Sequence, residues 1–253
     1  MNKMFALCVL CLTLILSSCA TIGGTADVMY ANVGLHNKAD MMDVSKFDKQ
    51  NTKYQKAGRY YLRGRDKILG ALDKKYPGFR EDILSGDPTA VKNAAGRLGE
   101  GDIKAAYWAG AGWLGAFSLD PMNMDLFSTI AGAPALLERG LELDPEFGHG
   151  AIHDVLQAWY ASALPDMGGD IDRALWCYGE SLRISGGKLP GPYVTYAQSI
   201  CVPQQDAAGF QDALNKALAT KPGEISGTRM AANINRKKAR WLLDHRDNYF
   251  IDW

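Results

Sequence analysis

Residues 146–187 carry the clearest periodic pattern in the chain. Ile152, Leu156, Trp159, Tyr160 and Ala163 recur at helical spacing along one side of its first half. Pro165 ends that helix, because proline has no N–H to give to the ladder. Gly168-Gly169 supplies a turn, and Asp170 is placed to cap a second helix with its carboxylate. Ala174, Tyr178, Ser181 and Leu182 follow on one face, and Gly186-Gly187 closes the segment. A small residue with an aromatic four later is the second-helix pattern of a tetratricopeptide-like repeat. One such hairpin cannot bury its apolar face alone, so stacked neighbours are expected.

The rest of the chain supplies candidates for those neighbours. A long helix is predicted over 47–75, with Tyr54, Ala57, Tyr61, Ile68, Leu69 and Leu72 as its stripe. Gly58 and Gly64 each weaken it by about 1 kcal/mol against alanine. Pro88 starts another helix. Asp102 is expected to cap an apolar helix over 103–119, where Ala105, Ala109, Gly112 and Ala116 form a ladder of small residues beside Trp108, Trp113 and Phe117. Residues 120–130 read as a loop and 133–143 as a partner helix. Further on, 192–201 and 206–220 form another pair, in which Phe210, Leu214 and Ala217 repeat the second-helix face. Residues 229–245 cap the stack, and 26–35 form a short helix before it. No alternating apolar/polar run competes with these helices. The expected class is all-α, an α-solenoid of tetratricopeptide-like helical hairpins spanning 26–253.

The front of the chain reads differently. Lys3 precedes an apolar run over 4–16 that is too short to span a bilayer. It ends in Leu16-Ser17-Ser18-Cys19, which resembles a bacterial lipobox. The resemblance implies a signal peptide over 1–18, acylation of Cys19, a lipid-anchored tether over 19–25 and a periplasmic location. Ala20 rather than aspartate after the cysteine points to the outer membrane. Cys8 and Cys11 would leave with the signal. Cys177 and Cys201 remain, either as a disulfide, which an exported protein permits, or as two small buried hydrophobes.

Charge narrows the function. The formal net charge is zero and there is no basic stripe, so nucleic acid is not an expected partner. His149 and His153 stand at i, i+4, but position 150 is glycine where a zinc peptidase needs glutamate. No third ligand is spaced for a metal, no G-x-S-x-G elbow is present, and the paired glycines follow no strand. Neither catalysis nor a cofactor nor a metal is expected. The aromatics Tyr107, Trp108, Trp113, Trp159 and Tyr160 are either core or the lining of a cleft. On one helix, His153, Gln157 and Tyr160 share a face, and Ile152, Leu156, Trp159 and Ala163 the adjacent one. The polar-tipped face is the better cleft candidate, with Tyr107 and Trp108 as further lining. The apolar face is then packing.

Several segments together resemble the TRAP transporter T-component family, often called TatT. They are Tyr61-Leu62-Arg63-Gly64-Arg65-Asp66 with Pro77-Gly78-Phe79, Tyr107-Trp108 with Trp113, and Glu138-Arg139-Gly140-Leu141-Glu142-Leu143-Asp144. Gly150-Ala151-Ile152-His153, Gly168-Gly169-Asp170 and Tyr193-Val194-Thr195-Tyr196-Ala197 follow, then Asn233 with Ala239-Arg240-Trp241-Leu242-Leu243. The resemblance covers about 54–253. It implies a periplasmic lipoprotein that docks the extracytoplasmic solute-binding protein of a TRAP uptake system and binds or passes on a small ligand. A general lipoprotein scaffold for envelope protein contacts is the alternative. The sequence leaves self-association open.

Overall fold

The computed structural model describes residues 20–251, whose regular elements are all helices, with no strand among them. Cys19 and the signal segment lie outside the described residues. The described chain falls into two compact units, one of residues 20–36 and 47–143, the other of 37–46 and 144–251. No helix among the described residues is long and apolar enough to cross a membrane.

The first unit opens with α1, in which residues 20–29 are α-helical and run on into a π-helical stretch, Tyr30–His36. Residues 20–25, expected as tether, are therefore helical. α3 (Phe47–Lys75) packs against α1 and against α6 (Ile103–Leu119), and α6 packs in turn on α8 (Gly132–Leu143). The glycine and alanine ladder of α6 is buried as expected, because these small residues let neighbouring backbones close in. Gly64 of α3 has the same purpose. A Cβ there would stand 2.7 Å from the Gly24 carbonyl of α1. Its helix-weakening cost is offset by the close crossing. Asp27 of α1 accepts hydrogen bonds from Arg63 and Lys67 of α3, and the Arg63 bond leads in holding its carboxyl below the usual range. Short helices α4 (Phe79–Leu84), α5 (Pro88–Gly96) and α7 (Met124–Thr129) fill the connections.

Asp102 does not cap α6 as expected, for its side chain makes no cap bond there. Burial pushes its carboxyl up, yet it stays below its usual value, because it accepts from Lys75 Nζ at 2.7 Å, Tyr76 Oη at 2.7 Å and the Gly99 N–H at 3.1 Å. It ties the end of α3 to the start of α6 instead.

The second unit contains the short α2 (Asn37–Asp40), α9 (Phe147–Ser162), α10 (Ile171–Ser185), α11 (Pro190–Tyr196, continued by a π-helical turn Ala197–Cys201), α12 (Ala207–Ala219) and α13 (Arg229–Asp244). α9 and α10 form the hairpin that the sequence predicts. Asp170 caps α10 by accepting from the N–H groups of Asp172 and Arg173, and Gly186 ends it with a left-handed residue at φ 61°. Ala174, Phe210 and Leu214 are fully buried, and Tyr178 stacks on Tyr196 at 4.4 Å, joining α10 to α11. Cys177 and Cys201 are both buried and are not joined in a disulfide. Burial pushes the Cys201 thiol up to about 11, which makes it a poor nucleophile at neutral pH. Lys238 pairs with Asp40 at 2.7 Å and fastens α2 to α13.

Candidate functional site

The candidate site is built on α9, whose start departs from a regular helix. Gly148, His149 and Gly150 all take left-handed angles, with φ of 60°, 60° and 88°. His149 therefore does not share a helical face with His153, and the i, i+4 pairing that the sequence suggests is broken. Holding a non-glycine residue in this region costs about 1–2 kcal/mol. The contact to α10 offsets that strain. Gly150 passes so close to α10 that a Cβ would stand 3.1 Å from Ser181 Cα, and Ser181 Oγ donates to the Gly150 carbonyl. The turn sets the rotation of the helix that follows.

That rotation buries the polar-tipped face. His153, Gln157 and Tyr160 are all buried, and so are Ile152, Leu156 and Trp159 on the adjacent face. His153 meets Trp176 of α10 edge-on at 5.2 Å. Tyr160 accepts a hydrogen bond from Arg173 at 2.6 Å, with the guanidinium 4.1 Å from its ring centre. Gln157 has no exposed surface at all. Neither ring nitrogen of His153 nor either end of the Gln157 carboxamide has a hydrogen-bond partner among the described residues. Each such group costs about 1–3 kcal/mol when buried unpaired. Burial lowers the His153 pKa, keeping the ring neutral, against the pull of Glu180. The nearby Pro145 carbonyl opposes burial too but makes no well-formed bond to the ring.

Asp154 is the residue that sequence reasoning did not single out as cleft lining. Its Oδ1 is shut off from solvent and unpartnered. Burial pushes its carboxyl up to about 6, and a hydrogen bond from Thr195 of α11 only partly opposes this. Gly191 of α11 lies against the other oxygen. A Cβ there would stand 2.8 Å from Asp154 Oδ2 and 3.3 Å from Asn235 Nδ2 of α13. Sequence gives little warning of this, since the α11 residues that cover Asp154 lie far along the chain.

The remaining candidates lie in the first unit. Tyr107 and Trp108 sit on α6, half-buried, with ring centres 5.1 Å apart in an edge-on contact. Trp113 beside them is fully buried core. Among the described residues no group of three histidine, cysteine, aspartate or glutamate side chains is arranged to hold a metal.

The profile of the TRAP transporter T-component family matches residues 18–250. The chain belongs to the TRAP transporter T-component family. A protein of Treponema pallidum (strain Nichols), itself described as uncharacterized, is similar to it, 33% identical over 229 residues that cover 90% of this chain and 71% of the relative. The resemblance read from the sequence thus holds over nearly the whole chain. A T-component is an accessory part of a transporter.

Proposed function

We propose that this protein is the lipid-anchored periplasmic accessory component of a TRAP-type uptake system. It docks the extracytoplasmic solute-binding protein and binds or passes on a small ligand. The family match across residues 18–250 carries this reading. Helical hairpins such as α9–α10, taken as tetratricopeptide-like repeats, suit a docking scaffold. His153, Gln157 and Tyr160, joined by Asp154, are the candidate polar groups of the ligand site. Both ring nitrogens of His153, both ends of the Gln157 carboxamide and Asp154 Oδ1 have no hydrogen-bond partner among the described residues, which is the kind of polar group a binding site keeps in reserve. Tyr107 and Trp108, within the first unit, are a separate aromatic candidate.

The anchor is Cys19, where Leu16-Ser17-Ser18 before it supports acylation and Ala20 after it supports the outer membrane. Several acyl chains on one residue hold a protein stably, since each buried CH₂ contributes about 0.8 kcal/mol. Cys19→Ala should move the protein from the membrane to the soluble periplasmic fraction. Retention of that variant after a carbonate wash would count against the anchor. The docking partner is tested by purifying the lipidated chain on beads and adding the cognate solute-binding protein, which should be retained.

A further inference from the structure

α3 carries its charges unevenly. Lys49, Lys53, Lys56, Arg63, Lys67 and Lys74 recur at spacings of three, four and seven, which puts them on one side of the helix. Its acids, Asp48, Asp66 and Asp73, all fall on another side, about 100–120° round. A helix that only faces water usually mixes both signs on its outer side. α1 lies along the edge of the basic stripe. Arg63 and Lys67 both pair with Asp27 of α1, yet their side chains stay 50% and 44% exposed. Lys56 Nζ stands 6.0 Å from the ring centre of Tyr30. The outer side of α1 is apolar. Ile22, Ala26 and Tyr30 follow one another at i, i+4 and i+8 and are all exposed, Ile22 by 65% and Tyr30 by 43%. Met29 and Val33 are half-buried. Asp27 is the one acid or base in residues 20–35, and it points to α3.

We propose that the outer side of α1 and the basic stripe of α3 together form a membrane-contact face, by which the first unit lies against a bilayer containing anionic phospholipid. The proposal builds on the acylation of Cys19 put forward above. Cys19 is joined directly to α1, which begins at Ala20, so the acyl chains start at the end of this helix. Ile22 and Tyr30 then reach the boundary between headgroups and acyl chains, while the flanking cations meet phosphate oxygens. An apolar face beside a run of lysines is the composition of a helix that lies in the membrane interface. Each lysine ammonium brings three N–H donors to the phosphates. The whole chain has a formal net charge of zero and gains nothing from long-range attraction. The stripe acts locally, within a Debye length of about 8–10 Å from the headgroups. An acidic protein partner would satisfy the lysines but not the apolar outer side of α1, which continues from the lipidated residue. The face is a weak, reversible contact. It sets which side of the first unit meets the bilayer, and the acyl chains supply the anchoring.

The test uses the full chain with Cys19→Ala, purified in high salt, so that no acyl chain holds it to a membrane. It is sedimented with vesicles of phosphatidylethanolamine and phosphatidylglycerol, and with vesicles of phosphatidylcholine alone. The anionic vesicles should carry down several-fold more protein than the neutral ones, and added salt should release it. Lys49→Glu with Lys56→Glu should weaken binding at least about tenfold. Ile22→Ser with Tyr30→Ser should weaken it several-fold. Lys92→Glu with Lys237→Glu makes the same change of net charge on α5 and α13, and it should leave binding unchanged. Each variant is compared at an unaltered helical far-UV spectrum, and the salt and lipid dependence of the Cys19→Ala chain needs no further substitution. Equal binding to both vesicle types, or none, would overturn the proposal. So would indifference to both face variants, or an equal loss in the α5 and α13 variant. Anchoring is scored apart from this: a wild-type chain held in the membrane beside a face that ignores vesicles would leave the anchor standing and remove the face.

Discussion

Replacing Asp154 by asparagine should stabilise the protein at pH 7.5 and have little effect near pH 4. The Asp154 carboxyl is pushed up to about 6 in the folded state from a starting value of 3.8, chiefly by burial. A raised folded pKa means that the folded state holds its proton more tightly than the unfolded one. Its stabilising effect is fully present below about pH 4 and is lost as pH rises through about 6. A shift of about 2 pKa units corresponds to about 3 kcal/mol, so the ionised carboxylate costs roughly that much at neutral pH. Asparagine keeps the shape and an oxygen for Thr195 without the charge. The gain at pH 7.5 should be about 1–3 kcal/mol, vanishing stepwise in denaturant unfolding at pH 6, 5 and 4. An effect that is the same at every pH would mean that Asp154 is not the titrating group. A stability cost of this size is what a carboxyl held for ligand binding produces.

The second large effect falls on Phe210. It is fully buried in α12, and its ring meets Phe250 edge-on at 5.0 Å and Tyr249 at 6.0 Å. Val194 and Ala197 of α11, Leu214 of α12 and Leu242 of α13 complete the cluster, so one side chain joins three helices and the C-terminal segment. Phe210→Ala removes the ring from a site whose neighbours are held by their own helices and cannot collapse fully into the gap. The expected cost is about 3–5 kcal/mol. Phe210→Leu should restore more than half of it, since it refills most of the volume. Thermal and denaturant unfolding measure both. A loss below about 1 kcal/mol for Phe210→Ala would contradict the packing of α12 described above.

Where local chemistry and packing agree, the elements could be read from the chain. α3 and α6 span the residues that their apolar patterns predict, although Asp102 does not cap α6, and Asp170 and Gly186 cap α10 as their types require. The start of α1 was not legible, because residues 19–25 read as a tether behind the cysteine. Gly24 in fact lies where a Cβ would stand 2.6 Å from Ile68, so the missing side chain serves a helix crossing. The short α4 and α7 lack the length for a periodic signal. The face assignment on α9 was legible only in part. His153, Gln157 and Tyr160 do share a face, yet their polar tips suggested an open lining, and all three are buried. Three left-handed residues at 148–150 set that rotation, and neither hydrophobic period nor propensity encodes it. The state of Asp154 depends on α11 and α13, which only the folded chain brings to it.

The docking of a solute-binding protein is the central claim, and isothermal titration calorimetry tests it most directly. The lipidated chain in detergent is titrated with the cognate solute-binding protein. The account predicts saturable binding at a fixed stoichiometry. Absence of saturable binding by the folded wild-type chain would contradict the account.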